Sequence, residues 1–173
     1  SDVYQNYDRM RMHFYSWFDK KVNILEEKIS QTEPNLDYVD AADRKGEQFC
    51  QFHDVLKNSV RIFLKMRLLN CSPTSFEIKI LCTEIIDGIR KLVAWDLNNN
   101  LLLPFLIAGA CVYEKDDRMM FEKAYEELKR YLKSENLTKA WNMIQSIWKS
   151  SANHYHENLA DIISIIDSDV CVF

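Results

Sequence analysis

The sequence predicts an all-α fold, a single helical domain of about seven helices. A chain of 173 residues with 47% hydrophobic residues is long and apolar enough to bury a substantial core. It contains only 3 Gly and 3 Pro, whereas a many-stranded sheet needs turn residues at short intervals. Most segments instead repeat apolar residues at the spacing of one helix face. The whole chain, 1–173, is therefore expected to form one domain.

The centre of this domain is predicted near 103–113. Residues 101–113 form the longest stretch without a charged or amide side chain, and five charged residues follow it. Pro104 suits the first turn of a helix, where its missing N–H matters least. A helix that is apolar on all sides belongs in the core. Ala108, Gly109 and Ala110 would allow another helix to pack close.

Three further helices are predicted before this central one. The first covers 2–29 and ends before Pro34, so residues 1–35 are a candidate for a semi-independent unit. The second region covers 36–69, although its polar first part could be a loop or a separate short helix. The third begins with Ser72 as N-cap and Pro73 in the first position, and extends to Trp95. Gly88, inside this third helix, indicates close approach by another helix or simple tolerance.

An antiparallel pair of helices is predicted at 118–133 and 136–149, because two segments repeat the same apolar offsets across a short loop. The two sets are Phe121, Ala124, Tyr125, Leu128, Tyr131, Leu132 and Leu137, Ala140, Trp141, Ile144, Ile147, Trp148. Asn136 is the predicted N-cap of the second helix. A connection at 150–156, a short helix at 157–166 and an apolar end at 170–173 complete the chain. Core packing is predicted for all four tryptophans, Trp17, Trp95, Trp141 and Trp148.

Composition excludes several classes of function. The net charge of −4 and pI of about 5.6 argue against direct nucleic-acid binding. The apolar run at 101–113 is too short to span a membrane. The 5 cysteines form no Cys-x-x-Cys pair, so reduced, mostly buried thiols are expected. Apolar surroundings should raise the thiol pKa of Cys82 and Cys111. Because no Met begins the chain, we expect a piece of a longer protein.

Histidine pairs give no catalytic or metal site. His154 and His156, with Glu157 and Asp161 nearby, lie two positions apart and would point in different directions on a helix. A zinc site would need a third ligand, and none is specified. The dipeptide at 53–54, His-Asp, occurs in metal-dependent phosphohydrolases, but their other anchors are not evident here. Ordinary loop and helix histidines are the expectation.

Acidic and basic runs are predicted to have structural roles. Asp116 and Asp117 suggest the aspartate-rich motif of helical prenyl-chain enzymes, but apolar residues occupy the position of the next carboxylate. We expect one of the two aspartates to cap the following helix. The basic residues at 57–67 are expected to form a solvated stripe. No catalytic residue and no metal ligand is predicted.

The order of residues from Pro104 to Trp148 resembles a known family. Pro104, the Ala-Gly dipeptide ending at Gly109, the acidic-Arg pair ending at Arg118 and the helix ending at Trp148 follow the pattern of the fungal-specific transcription factor domain. This is the large C-terminal regulatory region of fungal zinc binuclear cluster transcription factors. Members often carry Trp just before the Pro, where this chain has Leu103. The six-cysteine DNA-binding zinc cluster is not in this chain.

The resemblance implies a non-enzymatic regulatory or effector-sensing domain. It implies a nuclear location, with shuttling to the cytoplasm left open, and control of transcription activation through a small apolar ligand or a co-regulator protein. A homodimer is also left open, and no cofactor is expected in this chain. One alternative is a helical protein–protein assembly module of a nuclear or chromatin-associated complex. Another is a helical lipid- or isoprenoid-type enzyme, which would need carboxylates or histidines converging on an open cleft.

Two groups of residues are predicted to carry the function. The sequence leaves open whether the aromatic-rich interior is filled or hollow. If it holds a ligand, the residues expected to line the apolar pocket are Phe63, Met66, Phe105, Ala108, Gly109 and Trp141. A structural corner is predicted at Pro104, Asp117 and Arg118, where Arg118 would pair with a carboxylate and fix the angle between the central helix and the helix that follows.

Overall fold

The computed structural model describes residues 2–37, 45–96 and 98–150. These ranges contain helices and no β-strand, which confirms the all-α prediction. The elements are α1 (Asp2–Ser30), α2 (Lys45–Leu68), α3 (Phe76–Leu92), a 3₁₀ helix (Asn98–Leu101), α4 (Leu102–Cys111), α5 (Lys115–Tyr131) and α6 (Glu135–Ser150). The segments predicted at 150–156, 157–166 and 170–173 lie outside the described residues, apart from Ser150 at the end of α6.

The chain divides into two compact units, Ser1–Thr32 and Glu33–Phe173. Helix α1, in the first unit, closely matches the helix predicted at 2–29. The side chains of Ser30 and Thr32 end it by donating hydrogen bonds to the carbonyls of Glu26 and Ile29, at 2.9 and 2.7 Å. Such bonds satisfy carbonyl groups that have no partner within the helix. Core packing was predicted for Trp17 in this unit, and this prediction is wrong, since the residue is 55% exposed and Lys21 Nζ lies 5.8 Å from its ring.

Helix α4 lies at the centre of the second unit and packs against α2, α3 and α6. It has no polar face, so burial on every side is the arrangement that removes its apolar surface from water. Phe105 and Ala108 have no exposed surface. Pro104 lies in the first turn, as predicted. The prediction of a buried central helix near 103–113 is confirmed, with bounds shifted by one or two residues.

Helices α2 and α3 approach each other closely at Gly88. A Cβ atom at this position would collide with Cγ2 of Val55, so the close approach depends on glycine. Of the two interpretations of Gly88, the structure therefore supports helix contact. The predicted apolar face of α3 is confirmed, since all its members are buried: Ile78, Leu81, Cys82, Ile85, Ile89 and Leu92.

The start of α3 differs from the prediction. Its N-cap is Ser75, whose Oγ accepts a hydrogen bond from the backbone N–H of Ile78. Ser72 Oγ instead accepts from the N–H of Thr74, at 3.2 Å, and stabilises a turn before the helix. Ser72 and Pro73 therefore precede the helix, which also ends at Leu92 rather than Trp95.

Two residues of α2 have a different exposure from the one predicted. Phe63, expected in the core, is 38% exposed, whereas Ile62 and Met66 are buried. Lys65, assigned to a solvated stripe, is only 6% exposed, and its Nζ lies 3.1 Å from Glu77 Oε2 on α3. The helix had too many apolar residues for spacing alone to identify the inner face. Residues 38–44, before α2, lie outside the described residues.

Helices α5 and α6 confirm the predicted pair, again with shifted starts. Phe121, early in α5, contacts Trp148 late in α6, while Tyr125 contacts Trp141, which is the order expected for antiparallel helices. The N-cap prediction for Asn136 is wrong, because Ser134 Oγ accepts from the N–H of Asn136 at 3.2 Å. Trp148 and Trp95 are buried, as predicted.

Candidate functional site

Side chains from three other helices meet at the C-terminal end of α4. The helix ends at Cys111, so the last four carbonyl groups lack partners within the helix. Trp148 Nε1 on α6 donates a hydrogen bond to the carbonyl of Gly109, at 2.8 Å. Cys82 Sγ on α3 lies 3.8 Å from the carbonyl of Ala108 and donates a weak one. Side chains from two other helices thus satisfy carbonyls at the end of the central helix.

Gly109 allows this contact because it has no side chain. A Cβ atom there would lie 2.5 Å from Ile144 Cδ1 and 2.6 Å from Phe121 Cζ. Real Cβ contacts are not that short, so either neighbour would have to move. The predicted role of the small residues, close packing by another helix, is confirmed at Gly109.

Arg118 completes what we call the α4 corner, formed by Gly109, Arg118 and Trp148. The guanidinium carbon of Arg118 lies 5.1 Å from the centroid of the Trp148 ring, a cation–π distance. Burial lowers the pKa of Arg118, while the charge of Tyr113 acts in the opposite direction. An arginine remains protonated nonetheless, and its positive charge interacts favourably with the negative, C-terminal end of the α4 dipole. The predicted pairing of Arg118 with a carboxylate stays a prediction.

The other two predicted corner residues have separate positions. Pro104 lies in the first turn of α4, at the opposite end of the helix from Cys111. Asp117 Oδ2 is 3.8 Å from Lys79 Nζ on α3. The same Nζ lies 2.6 Å from Glu114 Oε1, and this hydrogen bond is the main reason that the pKa of Lys79 is raised. Asp117 therefore helps to attach the start of α5 to α3.

The capping role predicted for the aspartates needs correction. Helix α5 begins at Lys115, and its N-cap, Glu114, makes no side-chain capping bond. Asp116 and Asp117 lie in the first turn, where their negative charges interact favourably with the positive end of the helix dipole. Neither of them is the N-cap. The helix starts three positions before the predicted 118 because this first turn is polar and carries no apolar repeat.

An aromatic layer fills the space between α4, α5 and α6. It consists of Phe105, Phe121, Tyr125, Trp141 and Trp148. Phe105 and Phe121 stack with centroids 4.5 Å apart, and Tyr125 and Trp141 stack at 4.3 Å. These separations are those of favourable offset ring pairs. The layer joins α5 to α6 through ring contacts.

The six predicted pocket residues are only partly brought together. Phe105, Ala108, Gly109 and Trp141 lie in or beside the aromatic layer. Met66 contacts Cys111 instead, and Phe63 is 38% exposed on α2. The rings of Phe105 and Phe121 are fully buried against each other. A pocket for an apolar ligand at these six positions stays a prediction.

Two openings on the second unit have different character. A groove of about 460 Å³ lies between α2 and α3, with Gly88 and Val55 among its lining residues. Its other lining residues are polar or charged: Gln51, Asp54, Lys57, Asn58, Glu84, Asp87 and Lys91. Its size suits a small molecule, but its lining does not match the apolar ligand predicted from the sequence. Its walls come from separate helices, so no spacing in the sequence indicates it.

The second opening is a cavity of about 20 Å³, enough for roughly one water molecule. Cys82 and Cys111 both line it, together with residues such as Lys79 and Asp117. Cys111 Sγ donates a hydrogen bond to Met66 Sδ at 3.2 Å. A hydrogen bond with Cys82, and then burial, raise the pKa of the Cys111 thiol. We call Met66, Cys82 and Cys111 the sulfur cluster.

The four cysteines in the described ranges, Cys50, Cys71, Cys82 and Cys111, are free thiols, as predicted. Sequence analysis predicted the raised pKa of Cys111 from its apolar surroundings. It did not find the contact with Cys82, because residues on different helices give no spacing signal. Cys171 lies outside the described residues.

The remaining candidates give no catalytic arrangement within the described ranges. His53 Nδ1 lies 3.9 Å from Asp54 Oδ1 on the surface of α2. In the part of the chain that the structure describes, no group of three His, Cys, Asp or Glu residues is placed to hold a metal. His154, His156, Glu157 and Asp161 lie outside it. No helix within the same ranges is long and apolar enough to cross a membrane.

The residues that meet at the α4 corner are those of the resemblance noted in the sequence, and comparison with known proteins agrees. Residues 15–173 match the model of the fungal specific transcription factor domain. This chain belongs to that family. The Gly, Arg and Trp of the family-like pattern form one contact set here, which gives their order along the chain a physical reason.

Two relatives of this fungal specific transcription factor domain are transcriptional regulators. Transcriptional activator protein UGA3 of Saccharomyces cerevisiae is 24% identical over 152 residues, which are 85% of this chain and 28% of the relative. An uncharacterized transcriptional regulatory protein of Schizosaccharomyces pombe is 25% identical over 136 residues, 78% of this chain and 26% of the relative. The chain thus spans about a quarter of each relative's length. No solved structure matches it.

Proposed function

We propose that this chain is a non-enzymatic regulatory domain of a fungal zinc cluster transcription factor. It controls transcription activation in the nucleus by binding a small ligand or a co-regulator protein, while DNA is bound by another part of the protein. The family match over residues 15–173 carries this proposal. The formal charge of −4 supports the division of roles, because an acidic domain is not attracted to DNA.

The α4 corner supports a regulatory role for the fold. Trp148 on α6 and Cys82 on α3 both donate to α4, and Arg118 on α5 contacts Trp148. A ligand or partner that moves one of these helices changes the geometry of directional contacts made by the others. Such an element, with contacts that can be made or broken, is what a regulatory domain needs in order to transmit binding.

A reporter experiment tests the proposal. The 173-residue chain is placed between a heterologous DNA-binding domain and an activation domain in budding yeast, and reporter output is compared with the fusion lacking the chain. We expect the chain to change output at equal protein level, and nutrient conditions to alter that change. Unchanged output under every condition would contradict a regulatory role.

The same reporter assay, applied to a variant of Trp148, tests whether the α4 corner is needed for regulation. Trp148→Phe retains an aromatic ring but removes the donor to the Gly109 carbonyl. We expect it to weaken the effect of the chain on the reporter, whereas Tyr131→Phe, at an exposed position of α5, leaves it unchanged. Equal effects of both variants would show that the α4 corner has no part in regulation.

Binding measurements distinguish a ligand from a co-regulator. Native mass spectrometry of the purified chain gives its oligomeric state and reveals any bound small molecule. A thermal-shift screen with sterols, fatty acids and amino acids tests ligand binding directly. Stabilisation by one class supports a sensor, and its absence together with a monomeric state favours the co-regulator.

A further inference from the structure

We propose that the sulfur cluster is a binding site for a soft monovalent metal ion, Cu(I). Its three sulfur atoms come from three helices, since Met66 lies on α2, Cys82 on α3 and Cys111 at the end of α4. The proposal goes beyond the regulatory function proposed above and does not depend on it. It concerns what this set of side chains can coordinate.

The sulfur atoms are already close to one another. Cys111 is the central member, because its Sγ lies 3.2 Å from Met66 Sδ and it lines the same small cavity as Cys82. All three residues are at least 95% buried, at 5%, 5% and 3% exposure for Met66, Cys82 and Cys111. The three side chains are therefore enclosed within the protein.

The separation of Met66 and Cys111 needs only a small change to hold an ion. With metal–sulfur bonds of about 2.3 Å, a trigonal site has sulfur atoms about 4.0 Å apart. Met66 Sδ and Cys111 Sγ must therefore separate from their present 3.2 Å. Methionine has several rotatable bonds and a flexible end, so its thioether can move by this amount. Both cysteines also line the cavity of about 20 Å³, which provides adjoining space.

The donor set selects the class of metal. Thiolate and thioether sulfur favour Cu(I), whereas magnesium and calcium require oxygen ligands. Structural zinc takes four ligands from Cys, His and carboxylates. No group of three such residues is placed for a metal within the ranges 2–37, 45–96 and 98–150, and the cluster supplies only two. A thioether as third ligand suits Cu(I) and not Zn²⁺.

When Cu(I) binds, it replaces the thiol protons of the two cysteines, and no atom changes its oxidation state. The thiols of Cys82 and Cys111 each release a proton to solvent as a copper–sulfur bond forms, and Met66 binds as a neutral thioether. Copper remains Cu(I) throughout. The ion can enter from the cavity side, where the lining residues include Thr83 and Met120 from α3 and α5.

The test is a competition experiment under anaerobic conditions. The 173-residue chain is mixed with Cu(I) that is bound to a colorimetric chelator. We expect the protein to remove one equivalent of Cu(I) from the chelator. X-ray absorption of the complex should show three sulfur scatterers at about 2.3 Å from the metal. This measurement on the unaltered chain needs no substitution, so it does not depend on any variant folding.

Variants then assign the ligands. Met66→Leu preserves volume and removes the thioether, so we expect about tenfold weaker Cu(I) binding and a two-sulfur spectrum. Cys82→Ala and Cys111→Ala should each abolish the removal of Cu(I) from the chelator. Cys50→Ala is the matched control, since Cys50 is a half-buried free thiol outside the cluster, and it should bind like the unaltered chain.

Two results with the unaltered chain, and one with the control variant, would overturn the proposal. One is failure of the unaltered chain to take Cu(I) from the chelator. The other is a Cu(I) complex whose spectrum shows nitrogen or oxygen neighbours, or only two sulfur atoms, in the unaltered chain. Loss of binding in Cys50→Ala would equally contradict it, because the ion would then lie elsewhere.

Discussion

Gly109 is a position where absence of a side chain determines how helices pack. Its missing Cβ leaves room for Ile144 Cδ1 and Phe121 Cζ, which would otherwise lie 2.5 and 2.6 Å away. We expect Gly109→Ala to destabilise the chain by about 1–3 kcal/mol through overpacking. Replacing a helical glycine contributes roughly 1 kcal/mol in the opposite direction, so the measured loss is a net value. Urea denaturation followed by circular dichroism measures it.

A double-mutant cycle attributes that loss to the contact with Ile144. Ile144→Val removes the Cδ1 atom that the new methyl group would meet. We expect Gly109→Ala combined with Ile144→Val to lose less free energy of unfolding than the sum of the two single variants. Strict additivity would show that the cost arises elsewhere.

Trp148 has a polar contact that its burial makes important. Its indole N–H donates to the Gly109 carbonyl at 2.8 Å, and both groups are buried. Trp148→Phe leaves that carbonyl without this donor, so we expect a loss of about 1–3 kcal/mol in the free energy of unfolding. The variant also removes a larger ring from under the Arg118 guanidinium, which adds to the loss.

Trp141→Phe is the comparison for this variant. Trp141 stacks on Tyr125 at 4.3 Å and is half-buried, and phenylalanine can maintain a stacked ring there. We expect a smaller loss of stability than for Trp148→Phe, measured under the same denaturant conditions. Equal losses would mean that the hydrogen bond to Gly109 contributes little.

At the scale of elements, α5 and α6 are joined by rings. Tyr125 is 5% exposed and belongs to the aromatic layer, whereas Tyr131, on the same helix, is 58% exposed. We expect Tyr125→Ala to cost about 3 kcal/mol, as for other buried aromatic truncations. Tyr131→Ala should stay within about 0.5 kcal/mol of the unaltered chain. Thermal and urea unfolding measure the difference in stability between the two variants. Because both replace one tyrosine with alanine, they have the same amino-acid composition.

The opposite result would require a different account of this interface. If Tyr131→Ala were as destabilising as Tyr125→Ala, burial in the aromatic layer would not determine what a tyrosine of α5 contributes, because alanine has the higher helix propensity and cannot itself cause the loss. If neither variant changed stability, α6 would be attached mainly through α4. Both possibilities can be separated by the same pair of proteins.

Helices α3 and α5 are joined by a bidentate ion pair on the surface. Arg90 Nε and its terminal nitrogen donate to Glu127 Oε2 and Oε1, at 2.8 and 3.0 Å. The hydrogen bond to Arg90 lowers the pKa of Glu127 below its usual 4.5. The pair therefore stabilises the fold above about pH 4.5, and this contribution is lost as the pH falls through the lowered folded pKa.

Glu127→Gln removes this pH dependence. Because the pair is exposed, we expect a loss below about 1 kcal/mol at neutral pH, which shrinks as the pH falls below 4.5. Unfolding at pH 7 and at pH 3 measures it, with Glu126→Gln, an exposed neighbour, as control. A loss that grew on acidification would contradict the assigned sign.

Sequence patterns predicted the elements well and their local ends poorly. Apolar spacing identified α3, α5 and α6, because one buried face dominates each of them. It misassigned Phe63, because α2 is apolar on several sides and only its packing against α3 selects the inner face. The N-caps moved to Ser75 and Ser134, since several nearby serines and asparagines could satisfy the same backbone groups.

The candidate sites were harder to predict for a related reason. The order of Gly109, Arg118 and Trp148 was visible in the sequence, but their mutual contact was not. The sulfur cluster joins residues 66, 82 and 111, and nothing in their spacing indicates that these side chains come together. The polar groove between α2 and α3 likewise arises only when the two helices pack around Gly88.

At the scale of the whole molecule, the hydrophobic core lies within the second unit, Glu33–Phe173. Its members extend from Val55 on α2 to Trp148 on α6, and none of the side chains that the structure describes in α1 is among them. We expect a chain lacking residues 1–32 to unfold cooperatively, within a few degrees of the unaltered chain, because the core that determines cooperative unfolding remains complete. Differential scanning calorimetry measures the midpoint and enthalpy of unfolding.

The same deletion tests what α1 contributes. The family match begins at residue 15, so it includes residues 15–30 of α1, although none of these residues is in the core cluster. If the shortened chain keeps its stability but loses its effect in the reporter fusion, α1 carries a regulatory contact and the second unit carries the fold. A shortened chain that no longer unfolds cooperatively would show instead that the core needs α1, and the division into two units would not describe how the protein folds. If the shortened chain unfolds cooperatively, Gly109→Ala should reduce its free energy of unfolding by the same amount as in the full chain. The neighbours Ile144 and Phe121 are retained in both.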